Sequence, residues 1–354
     1  MLYYIVPTYL FLVYTLQVIF RNKNKFLFLL IPAIIFILCI GMFRDISVGT
    51  DTYEYYKVFN FPENIEVGYQ FLVGIVKWFG GGFSSFLAVF FFFSFFLKFF
   101  SFKLTSNNII LSLLIYCGFW FLVYDMNGIR QGLALGFVGL SLNYLNKGKN
   151  KMFYLAILLA ILNHYSAAIF IPFAFITQKI NCTKKIFFIV FFTVLFLAIT
   201  KVAQPVITFI STFLGGDSHF AAKANSYSKD DLYNSNILYS FSTIVRIIIL
   251  LITYFTLQKL NINSRLKNIL LWSALLNISI YLIFSEFELI ATRLSLYYRF
   301  SECVFFSFLP TISKYNIVKF LIGLFIFSYV VLQIFQTLSP LNNNLEPYNS
   351  ILFK

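Results

Sequence analysis

Apolar runs recur along this chain at close to the length a helix needs to cross a bilayer, roughly 20 residues. They fall at about 2–20, 26–43, 84–100, 109–126, 130–145, 186–203, 237–258, 268–284, 290–310 and 317–338. Runs such as Phe83–Phe100 are apolar on every face, whereas a strand of a transmembrane barrel alternates polar and apolar side chains. Charged residues make up 11% of the chain against 60% apolar, and an ordinary soluble domain carries about 25% charged residues. A water-soluble enzyme and a barrel are both excluded. The expected fold is all-α: a polytopic transmembrane helical bundle of about ten full spans.

Two weaker segments complete the pattern. Residues 69–79 are short, contain Lys77 and run into Gly80, Gly81 and Gly82, while residues 152–177 are interrupted by Asn163, His164, Tyr165 and Ser166. Short loops rich in Lys and Arg stay in the cytoplasm. Placing 21–25, 98–103, 147–151, 178–185, 259–267 and 314–319 there collects most of the 27 basic residues, provided that the two weak segments do not cross completely. Both are therefore expected to be re-entrant or interfacial, because broken helices are tolerated at membrane depth where they line a cavity. The expected organisation is one integral membrane domain over 1–354, with outer loops at 44–68 and 204–236 and both termini outside. The start of the chain lacks the basic residues of a cleavable signal, so it is expected to stay attached. The acidic residues, which played no part in that assignment, fall at or near the outer side apart from Glu302 within a span. That side is expected to be the working face.

A net charge of +14 invites a nucleic-acid reading, yet the basic residues are dealt out in small groups between apolar runs, as orientation signals are. No nucleic-acid partner is expected. Cys39, Cys117, Cys182 and Cys303 lie far apart without CxxC spacing or a neighbouring His, and they read as packing residues.

The informative residues are charges that hydrocarbon should reject. Arg44 and Asp45 directly follow an apolar run, and Gly49, Thr50, Asp51, Thr52 and Tyr55 follow them. Gly49 permits a tight turn, Thr50, Asp51 and Thr52 can cap a short helix, and the tyrosines can stack on a sugar ring. In the next cluster Asn127, Arg130 and Gln131 are spaced i, i+3 and i+4, which places them on one helical face able to grip an anion. Gly128, Gly132 and Gly136 form a repeated GxxxG pattern for close helix approach. His164 interrupts an apolar segment and can exchange a proton near neutral pH, while His219 reads as an ordinary loop residue. Arg246, Arg293 and Arg299 lie within apolar segments, and Glu302 is spaced to pair with Arg299. Guanidinium matches phosphate with bidentate hydrogen bonds and stays charged, so these arginines, with Arg44 and Arg130, suit a phosphorylated or diphosphate ligand.

Five short motifs, in order, resemble the EpsG family of Wzy-type polysaccharide polymerases: Arg44-Asp45 with Gly49-Thr50-Asp51-Thr52 and Tyr55; Glu66 with Gly68-Tyr69; Asn127 with Arg130-Gln131 and Ala134; His164 with Ser166-Ala167; and Glu346-Pro347-Tyr348. The resemblance implies polymerisation of undecaprenyl-diphosphate-linked oligosaccharide units, for an exopolysaccharide, capsule or O-antigen, on the outer face of the bacterial cytoplasmic membrane. Partners implied besides that substrate are membrane lipid and the flippase and chain-length regulator of the same pathway. Such chemistry expels a lipid diphosphate, whose developing charge fixed cations stabilise, and no metal or cofactor is expected. The expected bases for the acceptor hydroxyl are His164, Asp45 and Asp51, in that order. A flippase, with its need for two-sided access and its frequent internal repeats, fits a chain without visible repeats less well. An O-antigen ligase or acyltransferase would share the face but use another donor or acceptor.

Overall fold

A computed structural model describes residues 1–21, 26–63, 65–202, 205, 237–339 and 344–353. His219 and, Pro205 apart, the expected second outer loop lie outside the described residues. Those described are overwhelmingly helical, with one isolated bridge between Arg44 and Ser350, so the chain is an all-α bundle of membrane type. Five helices among them are long and apolar enough to cross a membrane: Leu2–Ile19, Phe83–Thr105, Phe241–Lys259, Ser264–Ile283 and Asn316–Leu338.

The chain divides into two compact units, Met1–Ile171 with Glu302–Lys354, and Pro172–Ser301. In the first, α1 (Ile5–Ile19), α2 (Leu30–Met42), α3 (Thr52–Asn60), α4 (Val67–Trp78) and α5 (Phe83–Thr105) are followed by α6 (Ile109–Ile115). Helix α6 continues as a π-helix over Tyr116–Asp125, kinked at Gly118, and then come α7 (Ile129–Asn146) and α8 (Asn150–Asn163). Helix α5 packs on α7 and α2, and α7 packs on α8. Asn108 starts α6 by accepting a hydrogen bond from the Ile110 N–H at 3.0 Å, satisfying one of the donors that a helix start leaves unpaired.

The expected break beside His164 is present. Helix α8 ends at Asn163, His164 is extended, and a 3-10 turn covers Tyr165–Phe170. Helix α4 has 12 residues, a rise of roughly 18 Å against a hydrocarbon core of about 30 Å. It is too short to cross by itself.

The second unit holds α9 (Phe173–Lys179), α10 (Lys184–Ile199), α11 (Phe241–Lys259), α12 (Ser264–Ile283) and α13 (Glu288–Arg299). Asn268 and Trp272, one turn apart on α12, tie down the end of α9 and the residue after it. The Asn268 amide donates to the Thr177 carbonyl at 2.6 Å and the Trp272 indole to that of Ile180 at 2.8 Å.

One expected span is corrected. The run 290–310 is not a continuous helix, because α13 stops at Arg299 and α14 (Glu302–Phe308) starts anew, followed in the first unit by α15 (Asn316–Leu338). The Ser301 hydroxyl donates to the Tyr298 carbonyl at 2.9 Å, a local bond that competes with helix continuation.

Candidate functional site

The hydrogen-bonded pieces at one end of the first unit are the loop 43–51, the turn 125–128 and the C-terminal stretch 344–353. The last of these straps the loop in place. Asp45 N–H donates to the Asn349 carbonyl at 3.0 Å, Gly49 N–H to that of Asn344 at 2.7 Å, and Ile351 N–H to that of Phe43 at 3.0 Å. The Tyr348 hydroxyl reaches the Ile40 carbonyl at 2.9 Å. The motif Glu346-Pro347-Tyr348 thus lies in a structural clip.

Gly49 sits at φ +96°, and a Cβ there would stand 2.6 Å from both Asn127 Oδ1 and the Met126 carbonyl. That close approach lets Thr50 N–H donate to Asn127 Oδ1 at 2.8 Å. Asn127 is accordingly a loop anchor. Helix α7 begins at Ile129, two residues later, so the shared face expected of Asn127, Arg130 and Gln131 does not form; Gln131 is buried. Asp45 is 6% exposed and accepts from Ser47 N–H at 3.0 Å, making a turn. Asp51 occupies the start of α3 without a side-chain capping bond, and its carboxylate accepts from the Thr50 hydroxyl at 3.2 Å.

Arg44 is 1% exposed. Its Nη1 donates to the Asp125 carbonyl at 2.7 Å and contacts Met126 Sδ at 3.4 Å. Burial pushes the guanidinium down to about 10, which leaves it charged at neutral pH. The carboxylate of Asp125 turns the other way, into a fully buried cluster. It accepts from Lys98 Nζ and the Tyr116 hydroxyl, each at 2.5 Å, and from the Ser94 hydroxyl at 2.6 Å. Gly132 makes room for it, since a Cβ there would lie 2.6 Å from Asp125 Oδ1. The GxxxG pattern thus divides its work: Gly132 faces this carboxylate and Gly136 faces Leu97 and Ser94 of α5.

The open cluster is centred on Glu66, which precedes α4. An apolar core including Tyr55, Phe59, Tyr69, Phe83, Phe86, Phe90 and Leu133 fastens α3 and α4 onto α5 and α7. Gly68 then seats α4 on the end of α8: a Cβ there would come within 2.7 Å of Asn163 Oδ1 and the Leu162 carbonyl. This brings Glu66 to His164, with His164 Nδ1 2.9 Å from Glu66 Oε1, while Arg130 Nη1 donates to Glu66 Oε2. The Glu66 side chain is 5% exposed, that of Arg130 28% and that of His164 19%. Arg130 lies over the Tyr55 ring, 5.5 Å from its centre. Burial penalises the charged form of Glu66, but the His164 hydrogen bond and the Arg130 charge outweigh it and hold the carboxyl down to about 2. An ionised carboxylate only accepts hydrogen bonds, so Nδ1 carries the proton and the lone pair of a neutral His164 is on Nε2. Arg130 Nε is buried with no hydrogen-bond partner.

Tyr55 is 6% exposed and supports Arg130 from beneath; the exposed rings of α3 are Tyr53 and Tyr56, stacked 6.3 Å apart. In the second unit, Arg246 donates to Asn277 Oδ1 at 3.2 Å and lies 3.9 Å from the centre of the Tyr281 ring. Arg293 is exposed and Arg299 buried, on different faces of α13. Arg44 and Arg130, the two expected ligand cations of the first unit, donate to different acceptors, the Asp125 carbonyl and the Glu66 carboxylate, and both lie within electrostatic reach of Tyr55. Glu66 stands in the motif with Gly68 and Tyr69, and its pairing with side chains 64 and 98 positions away leaves no local signature. Among the described residues no group of three or more His, Cys, Asp and Glu is arranged to hold a metal ion. Comparison with family models matches residues 27–350 to the EpsG family. No curated protein and no solved structure matches the chain.

Proposed function

Since this chain belongs to the EpsG family, whose members are Wzy-type polymerase-like membrane proteins, we propose that it joins oligosaccharide units carried on undecaprenyl diphosphate, with His164 as the base, Glu66 as its holder and Arg130 as the cation for the leaving group. The observation that carries this reading is the chain Arg130–Glu66–His164, in which one carboxylate both fixes the imidazole tautomer and anchors a guanidinium.

His164 Nε2 takes the proton of an acceptor sugar hydroxyl as its oxygen attacks the anomeric carbon of the donor glycan. The bond from that carbon to the lipid diphosphate breaks, and the diphosphate leaves with the electron pair. Arg130 answers the charge that develops there. Its partly exposed side chain supports this role, because Glu66 holds one nitrogen while part of the guanidinium stays open to an anionic oxygen. Glu66 touches neither sugar nor phosphate; it positions the other two.

Complementation of a strain lacking the gene tests the reading. Cells carrying Arg130→Lys or His164→Ala should make normal amounts of the protein and lose long chains, while single lipid-linked units accumulate at the outer membrane face. Units trapped on the cytoplasmic side would identify a flippase instead, and normal chain lengths in both variants would remove these residues from the reaction.

A further inference from the structure

We propose that the first unit carries, at the end remote from Glu66, a binding site for an anionic phospholipid. Helix α5 starts beside Tyr56 and Phe59 and ends at Thr105, so its 23 residues set this end roughly 34 Å away. Between the end of α1, the start of α6 and the start of α15 lies a cavity of about 530 Å³.

Arg21, Lys314 and Lys319 line that cavity, and no Asp or Glu does. Its inner wall is polar and fixed: Gln17 and Asn108, 5% and 9% exposed, are joined by a 3.0 Å hydrogen bond. The Tyr14 hydroxyl donates to the Lys319 carbonyl at 2.9 Å, tying α1 to α15. Gln17 and Asn108 also line a second cavity of about 420 Å³, whose walls include Leu30, Ile31, Ile34 and Phe99, with Lys103 among them. A cationic chamber therefore shares a wall with an apolar slot.

That pairing distinguishes a lipid from a soluble anion. A free phosphate would use the cations and leave the apolar slot without purpose, whereas a phospholipid fills both, with phosphate among Arg21, Lys314 and Lys319 and an acyl chain along Ile31 and Ile34. The position agrees: the cations stand where two apolar helices, α1 and α15, end or begin, at the level of headgroups. Basic pockets between membrane helices select anionic headgroups in this way.

The test uses the full chain in detergent, with phosphatidylglycerol, phosphatidylcholine and glycerol 3-phosphate as probes and bound lipid read by native mass spectrometry. Phosphatidylglycerol should be retained at least about tenfold better than phosphatidylcholine, and the combined Arg21→Gln, Lys314→Gln, Lys319→Gln variant should lose that preference, each cation contributing roughly fivefold. Ile31→Trp, at an exposed position, should reduce lipid retention with the cations intact, and it decides the matter if the triple variant does not fold. Equal retention of the two lipids, unchanged retention in either variant, or competition by glycerol 3-phosphate at the potency of phosphatidylglycerol would overturn the assignment.

Discussion

Two carboxylates in the first unit hold cations from other helices, and they differ in access. Asp125 and Lys98 are both 0% exposed, with Ser94 and Tyr116 completing their hydrogen bonds. Glu66 is also buried, at 5% exposed, but its partners Arg130 and His164 reach the surface. The first arrangement is closed on itself: each polar group answers another, so nothing is left to address a ligand. In the second, the carboxylate holds two groups that are themselves partly exposed. Sealed charge holds this fold together, and half-open charge is available for chemistry.

The largest expected effect follows from sealing. Asp125→Asn or Lys98→Met leaves one buried charge without its partner, a loss of about 3–5 kcal/mol. Thermal melts in detergent should show either variant largely unfolded or strongly destabilised, and Lys98→Met combined with Asp125→Asn should recover much of the loss. Single variants as stable as the parent but inactive would reverse the comparison and make Asp125 the reactive carboxylate.

Glu66→Gln should behave in the opposite sense, with modest loss of stability and a drop in polymerisation rate of about 100-fold or more, because the imidazole loses the group that fixes its tautomer. Chain-length ladders from purified protein would check it. A rate within threefold of the parent, roughly, would show that His164 does not depend on Glu66 for orientation.

The same two regions show what can be read from residues alone. The apolar runs define the helices well, because hydrophobic length is a property of consecutive residues. Breaks are harder to place: the interruption at His164 is signalled by four polar residues in a row, but the one at Ser301 hides in a stretch where arginines, serines and tyrosines already alternate. Partnerships are harder again. Intramembrane arginines suggest a ligand when no acid is near in sequence, yet Arg130 finds its acid 64 residues away and Arg44 donates to a backbone carbonyl. Asn127 has the spacing of a helical face but stands before the helix begins. The helix start and the long-range pairing are set by tertiary packing around Gly49 and Gly68, which no spacing rule encodes.

A smaller effect separates the clusters by pH. The folded-state value for Glu66 is depressed from 4.5 to about 2, so its stabilisation is fully present above about 4.5 and is lost as pH falls toward 2. The difference in melting temperature between parent and Glu66→Gln should therefore shrink as pH falls below about 4.5. A difference already fading near pH 6 would mean that another group controls the pair.

The smallest effect concerns the exposed rings. Tyr55 supports Arg130 from within, whereas Tyr53 and Tyr56 are exposed rings 6.3 Å apart, available as a platform for sugar rings. Removing such a platform weakens ground-state and transition-state binding alike, which raises KM without changing kcat. Tyr53→Ala with Tyr56→Ala should raise KM for the acceptor about fivefold, equivalent to roughly 1 kcal/mol. Tyr55→Ala should instead lower kcat, because the guanidinium above it loses its support. If the outer pair changed kcat and Tyr55 changed only KM, the division between a positioning interior and a binding exterior would be drawn in the wrong place on α3.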